Sequence, residues 1–133
     1  MLRKPIILDT CAIAYLFLSD ELDTKHQVSD GLLSYIENHG AVILSISFAE
    51  LECLTRKSYN SLSSLDVNEL YSELSKIFEI VDIDTDLWLE AVRLEWDHKD
   101  PADRLIVAYA KYYNYPIATS DLKIKSYYSN TII

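Results

Sequence analysis

Only two glycines and three prolines interrupt the 133 residues. So little glycine leaves no Gly-x-Gly-x-x-Gly loop and no Walker A motif, which excludes nucleotide binding on a glycine-rich phosphate loop. The two cysteines, Cys11 and Cys53, stand in no metal-like spacing. They predict a reducing, cytoplasmic setting, with both thiols acting as small buried apolar residues. No apolar run approaches the roughly 20 residues that span a bilayer. The first apolar run is broken at Asp9, so neither a membrane segment nor a signal peptide is expected. Positive charge is also scarce: 12 Lys and Arg stand against 21 Asp and Glu, a formal net charge of −9. That balance argues against broad adhesion to nucleic acid or anionic membranes. It leaves room for a local basic patch, or for a cation that reverses the sign at one site.

Half of the residues are apolar and a quarter charged, as in an ordinary globular domain, and the length predicts a single domain over residues 1–133. The ten tyrosines read as amphipathic residues at the edge of a core. Residues 5–9, "PIILD", form an apolar run that suits a buried strand, and "TCAIAYLFLSD" continues as a helix with Thr10 near its cap. Thr24 and Gln27 have capping-box spacing ahead of a helix with Val28, Leu32, Leu33 and Ile36 inward, stopped by Gly40. "AVILSI" (41–46) is a second strand. Ser47 and Glu50 have capping-box spacing for a helix to about Lys57, and 58–65 is a polar loop. Asp66 and Glu69 open a helix carrying Leu70, Tyr71, Leu74, Ile77 and Phe78. "EIVDI" is a third strand, residues 86–96 a helix with Leu87, Ala91 and Leu94 on one side, "YPIATSD" a fourth strand, and "NTII" a candidate fifth. Alternating strands and helices predict an α/β fold with a parallel sheet covered on both faces.

"HKDPADRLIVAYA" (98–110) is the most pointed stretch. Asp100 reads as an N-cap and Pro101 as the first helical residue, which puts Asp103 in the first turn. In open α/β sheets, ligands bind beyond the carboxyl ends of the strands. Four acids fall on that rim. Asp9 closes strand one, Glu50 opens the helix after strand two, Asp103 opens a later helix, and Asp121 follows strand four. Capping and turn formation account for Glu50, Asp103 and Asp121 taken singly. Asp9 sits between an apolar strand and an apolar helix, where an ionised carboxylate needs a partner.

Two unit charges about 5 Å apart repel by roughly 3 kcal/mol at an effective dielectric near 20. Several such pairs would consume much of a domain's stability of about 5–15 kcal/mol. Protonating some acids, spreading them apart or binding a cation would relieve the conflict; a divalent cation is the preferred resolution, and hard oxygen donors without a His/Cys set favour Mg²⁺ or Mn²⁺ over Zn²⁺. Such a site suits phosphodiester hydrolysis by an activated water, with no nucleophilic Ser or Cys. The histidines, His26, His39 and His98, show no ligand spacing; His98, next to the site in sequence, reads as a solvated loop residue in preference to a proton shuttle. Arg56 and Lys57, Lys99 and Arg104, and Lys123 and Lys125 flank the acidic motifs, either as phosphate contacts or as solvated charges.

"ILDTCAIAYLF", "SISFAELE", "DPADRLIVAYA" and "IATSD" resemble the successive acidic motifs of PIN-domain ribonucleases, in particular VapC-type toxins of toxin–antitoxin systems. The order and spacing match across nearly the whole chain, and "DPADRLIVA" is the most specific of the four. The resemblance implies a three-layer α/β/α sandwich around a parallel sheet of four to five strands. It also implies Mg²⁺- or Mn²⁺-dependent RNA cleavage. By position, Asp9, Glu50, Asp103 and Asp121 carry over as the catalytic metal-site acids, and Thr10 and Thr119 as hydroxyls that support them. Arg104, Lys99 and Lys123 are the candidate RNA contacts. The implied partners are an RNA substrate, a cognate antitoxin and a second copy of the chain. Two other α/β acid-pocket proteins fit less well. A receiver domain needs an acidic pair after strand one, where only Asp9 stands, and a phosphatase with paired aspartates needs them in strand one, whereas "VDIDTD" lies in strand three. An idle PIN-like binding module is the remaining alternative, against which the presence of all four acids weighs.

Overall fold

The computed structural model describes residues 4–18, 29–57 and 64–133. Short buried strands carry the fold: β1 (Ile6–Leu8), β2 (Ala41–Leu44), β3 (Glu79–Val81), β4 (Ile117–Ala118) and β5 (Thr131–Ile132). They form one sheet in the order β3-β2-β1-β4-β5, with every pairing parallel. Ile7, in the central strand, faces Val42 on one side and Ile117 on the other. The helices are α1 (Thr10–Phe17), α2 (Asp30–His39), α3 (Ile46–Thr55), α4 (Val67–Ser75), α5 (Thr85–Val92), α6 (Pro101–Tyr113) and α7 (Leu122–Tyr127).

The period-two alternation of the strands sorts the core into two layers. Ile6, Leu8, Ile43 and Ala118 pack with Ile13, Leu32, Leu51 and Leu74, under α1 to α4. Ile7, Val42, Leu44 and Ile117 pack with Ala91, Leu105, Ile106 and Ile124, under α5 to α7. A parallel sheet needs cover on both faces, and this one has it. The result is the α/β/α sandwich expected from the sequence, with five strands.

Local chemistry sets the helix boundaries. Ser29 caps α2 by accepting from the Leu32 amide at 3.1 Å. Gly40, at φ 81°, ends that helix in a conformation open to glycine. The Thr24–Gln27 box and residues 58–63 of the expected loop lie outside the described residues. Leu33, expected inward, is 44% exposed, because α2 is short and turns only Leu32 fully onto the sheet. The Ser47–Glu50 box does not form: α3 starts at Ile46 and its N-cap, Ser45, makes no side-chain cap bond. Helix α7 was not foreseen, its six residues being too few to show a period. Cys11 and Cys53, expected to be buried, are both exposed. Among the described residues no helix is long and apolar enough to cross a membrane.

Candidate active site

The chain builds the sheet outward from β1 to β2 and β3, then returns to place β4 on the other side of β1. The strand order therefore reverses between β1 and β4, and the crevice beyond their carboxyl ends is where α/β sheets bind ligands. Asp9 follows β1 directly and is the N-cap of α1, its Oδ1 accepting from the Ala12 amide at 2.8 Å. It is only 4% exposed. Burial pushes its carboxyl up to about 6 from 3.8; the charges of Asp103 and Asp121 add to this, while hydrogen bonds from Thr119 and Ala12 oppose it.

Asp100 caps α6, with its Oδ1 accepting from the Asp103 amide at 3.0 Å. This leaves the Asp103 carboxylate unused by the helix. It turns instead to His98, whose Nε2 lies 2.6 Å from Asp103 Oδ2. The pair is largely shielded, with side-chain exposures of 14% for His98 and 20% for Asp103. Burial raises the Asp103 carboxyl above its ordinary value, against the His98 hydrogen bond, and Asp100 and Asp121 push it further up.

Asp121 follows β4 and caps α7, its Oδ1 accepting from the Lys123 amide at 2.8 Å. Its own amide donates to Thr119 Oγ1 at 3.0 Å, and Thr119 is fully buried. Glu50 projects from the second turn of α3, its Oε1 2.5 Å from the Thr10 hydroxyl. That hydroxyl is also 3.1 Å from Ser47 Oγ. The two residues expected to cap α3 thus both meet Thr10 at the start of α1. Burial raises the Glu50 carboxyl, the Thr10 bond opposes the rise, and Asp100 and Asp103 add to it.

These couplings put the four predicted acids in one electrostatic neighbourhood. Cys11 senses the whole set: desolvation comes first in pushing its thiol up to about 11, followed by Asp9, Asp103, Asp121 and Glu50 in turn. Donor atoms of His98, Asp103 and Asp121 all lie within 4.8 Å of one another. Asp9 and Glu50 are outside that trio and flank it. One imidazole nitrogen and two carboxylate oxygens, each partly open to solvent, fit a divalent ion whose other positions are filled by water.

His98 corrects the reading of a solvated loop residue, since its ring is shielded and bonded to Asp103. Its position immediately before the cap of α6 was the available signal, because a residue there is carried to the same helix start as Asp103. Asp100 was read only as a cap, yet its charge acts on both Glu50 and Asp103.

Arg104 is a second correction. Its Nε donates to Ala91 O at 2.9 Å, Nη1 to Trp96 O at 2.6 Å and His98 O at 2.8 Å, and Nη2 to Val92 O at 3.1 Å and Leu94 O at 2.6 Å. A guanidinium has five N–H donors, and all five are engaged on backbone carbonyls, leaving none for an RNA phosphate. Arg104 satisfies the last carbonyls of α5 and pins the turn to α6, which is why the helix predicted to reach residue 96 ends at Val92. Lys99 and Lys123, by contrast, line a cleft of about 560 Å³ with Trp96, Asp97, His98, Asp100 and Ser126.

Solved structures that share this fold include the following two. A chain of a toxin–antitoxin complex from Klebsiella pneumoniae superposes with a TM-score of 0.63 at 17% identity, covering 96% of each chain. FitAcB from Neisseria gonorrhoeae gives 0.56 at 19% identity, again covering 96% of each chain. No curated protein shows significant similarity to the sequence. The PIN domain model matches residues 6–130, from β1 to the threshold of β5 and across every acid of the crevice, and the chain belongs to the PIN domain family.

Proposed function

We propose that this protein is a metal-dependent endoribonuclease and the toxin of a toxin–antitoxin pair, acting in the cytoplasm on RNA phosphodiester bonds. The observation that carries this reading is the closeness of Asp103 and Asp121, whose donor atoms share one cluster with His98, with Asp9 and Glu50 coupled to Asp103 by charge. Family membership and the toxin–antitoxin neighbour support it. Asp103 and Asp121 hold the ion, with Asp9 and Glu50 as the flanking acids of the set. When bound there, Mg²⁺ or Mn²⁺ supplies an acidified water and offsets charge on the phosphoryl group.

The other residues orient this set. Thr10 fixes one oxygen of Glu50, and Thr119 bridges from the Asp121 amide to the buried Asp9. Lys99 and Lys123, which line one cleft beside the site, contact phosphates of the bound strand, which gives this acidic chain its local attraction for RNA. The partners are a cognate antitoxin that covers the crevice and a second copy of the chain. The test is cleavage of total cellular RNA by the purified protein, with Mn²⁺ and with chelator. Wild type is expected to cut only with the ion. Asp103→Asn is expected to melt as a folded protein and not to cut. A wild type that binds the ion without cutting, the behaviour of an idle acid-pocket module, overturns the proposal, as does full activity in Asp103→Asn.

A further inference from the structure

Resting on the metal site proposed above, we infer that His98 is a nitrogen ligand of that site, held in place by Arg104, and that it shifts the preference of the site from Mg²⁺ towards first-row transition ions such as Mn²⁺. Three observations meet here. A ring nitrogen of His98 lies within ligand-sharing distance of carboxylate oxygens from both Asp103 and Asp121. Its ring is held against Trp96, with centroids 4.8 Å apart, and Trp96 in turn stacks on Tyr127 at 4.7 Å. Its backbone carbonyl is one of the five gripped by Arg104. Ring and backbone are therefore both fixed, which is the preorganisation a metal ligand needs.

Mg²⁺ takes oxygen donors almost exclusively, whereas an imidazole is accepted readily along the transition series. The Nε2 of His98 is hydrogen-bonded to Asp103 Oδ2. Binding replaces that bond, any proton on the ligating nitrogen leaving to solvent, so that its lone pair faces the cation. Arg104 touches neither ion nor substrate and is a positioning residue. Its neighbour in sequence, Asp103, and its hydrogen-bonded partner, His98, are both ligands.

Electron spin-echo spectra of Mn²⁺ bound to the wild-type chain are expected to show modulation from a coordinated imidazole nitrogen. In His98→Phe, which keeps a ring against Trp96, the modulation should vanish and Mn²⁺ affinity should drop by about tenfold or more, while Mg²⁺ affinity holds. His98→Asn should behave alike, so the outcome does not hang on one variant. Arg104→Lys keeps the charge but not the five-fold grip. It should weaken Mn²⁺ binding severalfold in wild type and add nothing in His98→Phe. Bound Mn²⁺ without nitrogen modulation, or equal losses for Mn²⁺ and Mg²⁺ in His98→Phe, overturns the ligand role. Additive losses in the double variant overturn the positioning role. The spectra do not depend on RNA cleavage, so an inactive protein with a nitrogen-ligated ion would overturn the proposed nuclease function and leave this inference standing.

Discussion

Asp9→Asn should stabilise the metal-free protein near neutral pH. Folding moves Asp9 from water to the end of β1, and its carboxyl goes from 3.8 up to about 6. A pKa unit is about 1.4 kcal/mol, so holding the carboxylate ionised in the fold costs about 3 kcal/mol at pH 7. A folded-state pKa raised above the unfolded one favours folding at low pH, and that advantage is lost as pH rises through about 6. Near pH 4 the difference shrinks below about 1 kcal/mol, because the folded carboxyl is protonated and little is left to relieve. Asparagine still offers an oxygen to the Ala12 amide and is as good an N-cap as aspartate. The variant should therefore melt higher by up to about 10 °C at pH 7 in chelator, with the gap closing by pH 4. Millimolar Mn²⁺ should raise the melting temperature of wild type and do much less for Asp9→Asn, because it relieves repulsion the variant has already lost. Thermal denaturation at the two pH values, with and without Mn²⁺, reads all of this. A variant no more stable than wild type at pH 7, or a gap that persists unchanged at pH 4, would refute the burial argument.

Three further outcomes are expected. Arg104→Ala frees five backbone carbonyls at once and should lower stability by about 2–4 kcal/mol in urea denaturation; a loss within experimental error would mean that water replaces the guanidinium without penalty. Cys11 should be alkylated slowly at pH 8 and faster once Mn²⁺ is added, because the ion offsets the four carboxylates that help hold its thiol up at about 11. An unchanged rate would place the ion elsewhere. Lys99→Glu and Lys123→Glu should weaken RNA binding across sequences and flatten its salt dependence by about one counterion each, leaving Mn²⁺ binding in place. An unaltered salt slope would remove the cleft from the RNA path.

Much of the fold was legible because its signals are local. The apolar runs at 5–9 and 41–46 could be satisfied only by strands covered on both sides, and Asp66 and Asp100 do cap α4 and α6 as their spacing predicts. The rim acids were legible because an acid that follows a buried strand has few places to go. The failures share a cause as well. Ser47 and Glu50 are three residues apart, as in a capping box, but Thr10, thirty-seven positions from Ser47, claims both side chains. His98 read as a loop residue because nothing in the sequence shows its ring folding onto Asp103, five positions on. Arg104 read as an RNA contact because its five carbonyl acceptors are backbone atoms, which no residue pattern displays.

The sequence by itself determined the strands, most of the helix starts and which acids stand at the carboxyl ends, since these depend on apolar period, caps and neighbours within one turn. Tertiary structure alone decided that β4 lies beside β1, and hence that Asp9 and Asp121 share a crevice. It also decided which carboxyls are buried enough to be driven upward, that a histidine joins them, and that an arginine is spent on the backbone. Desolvation and charge coupling depend on distance through space, and the chain must close on itself before they have a value.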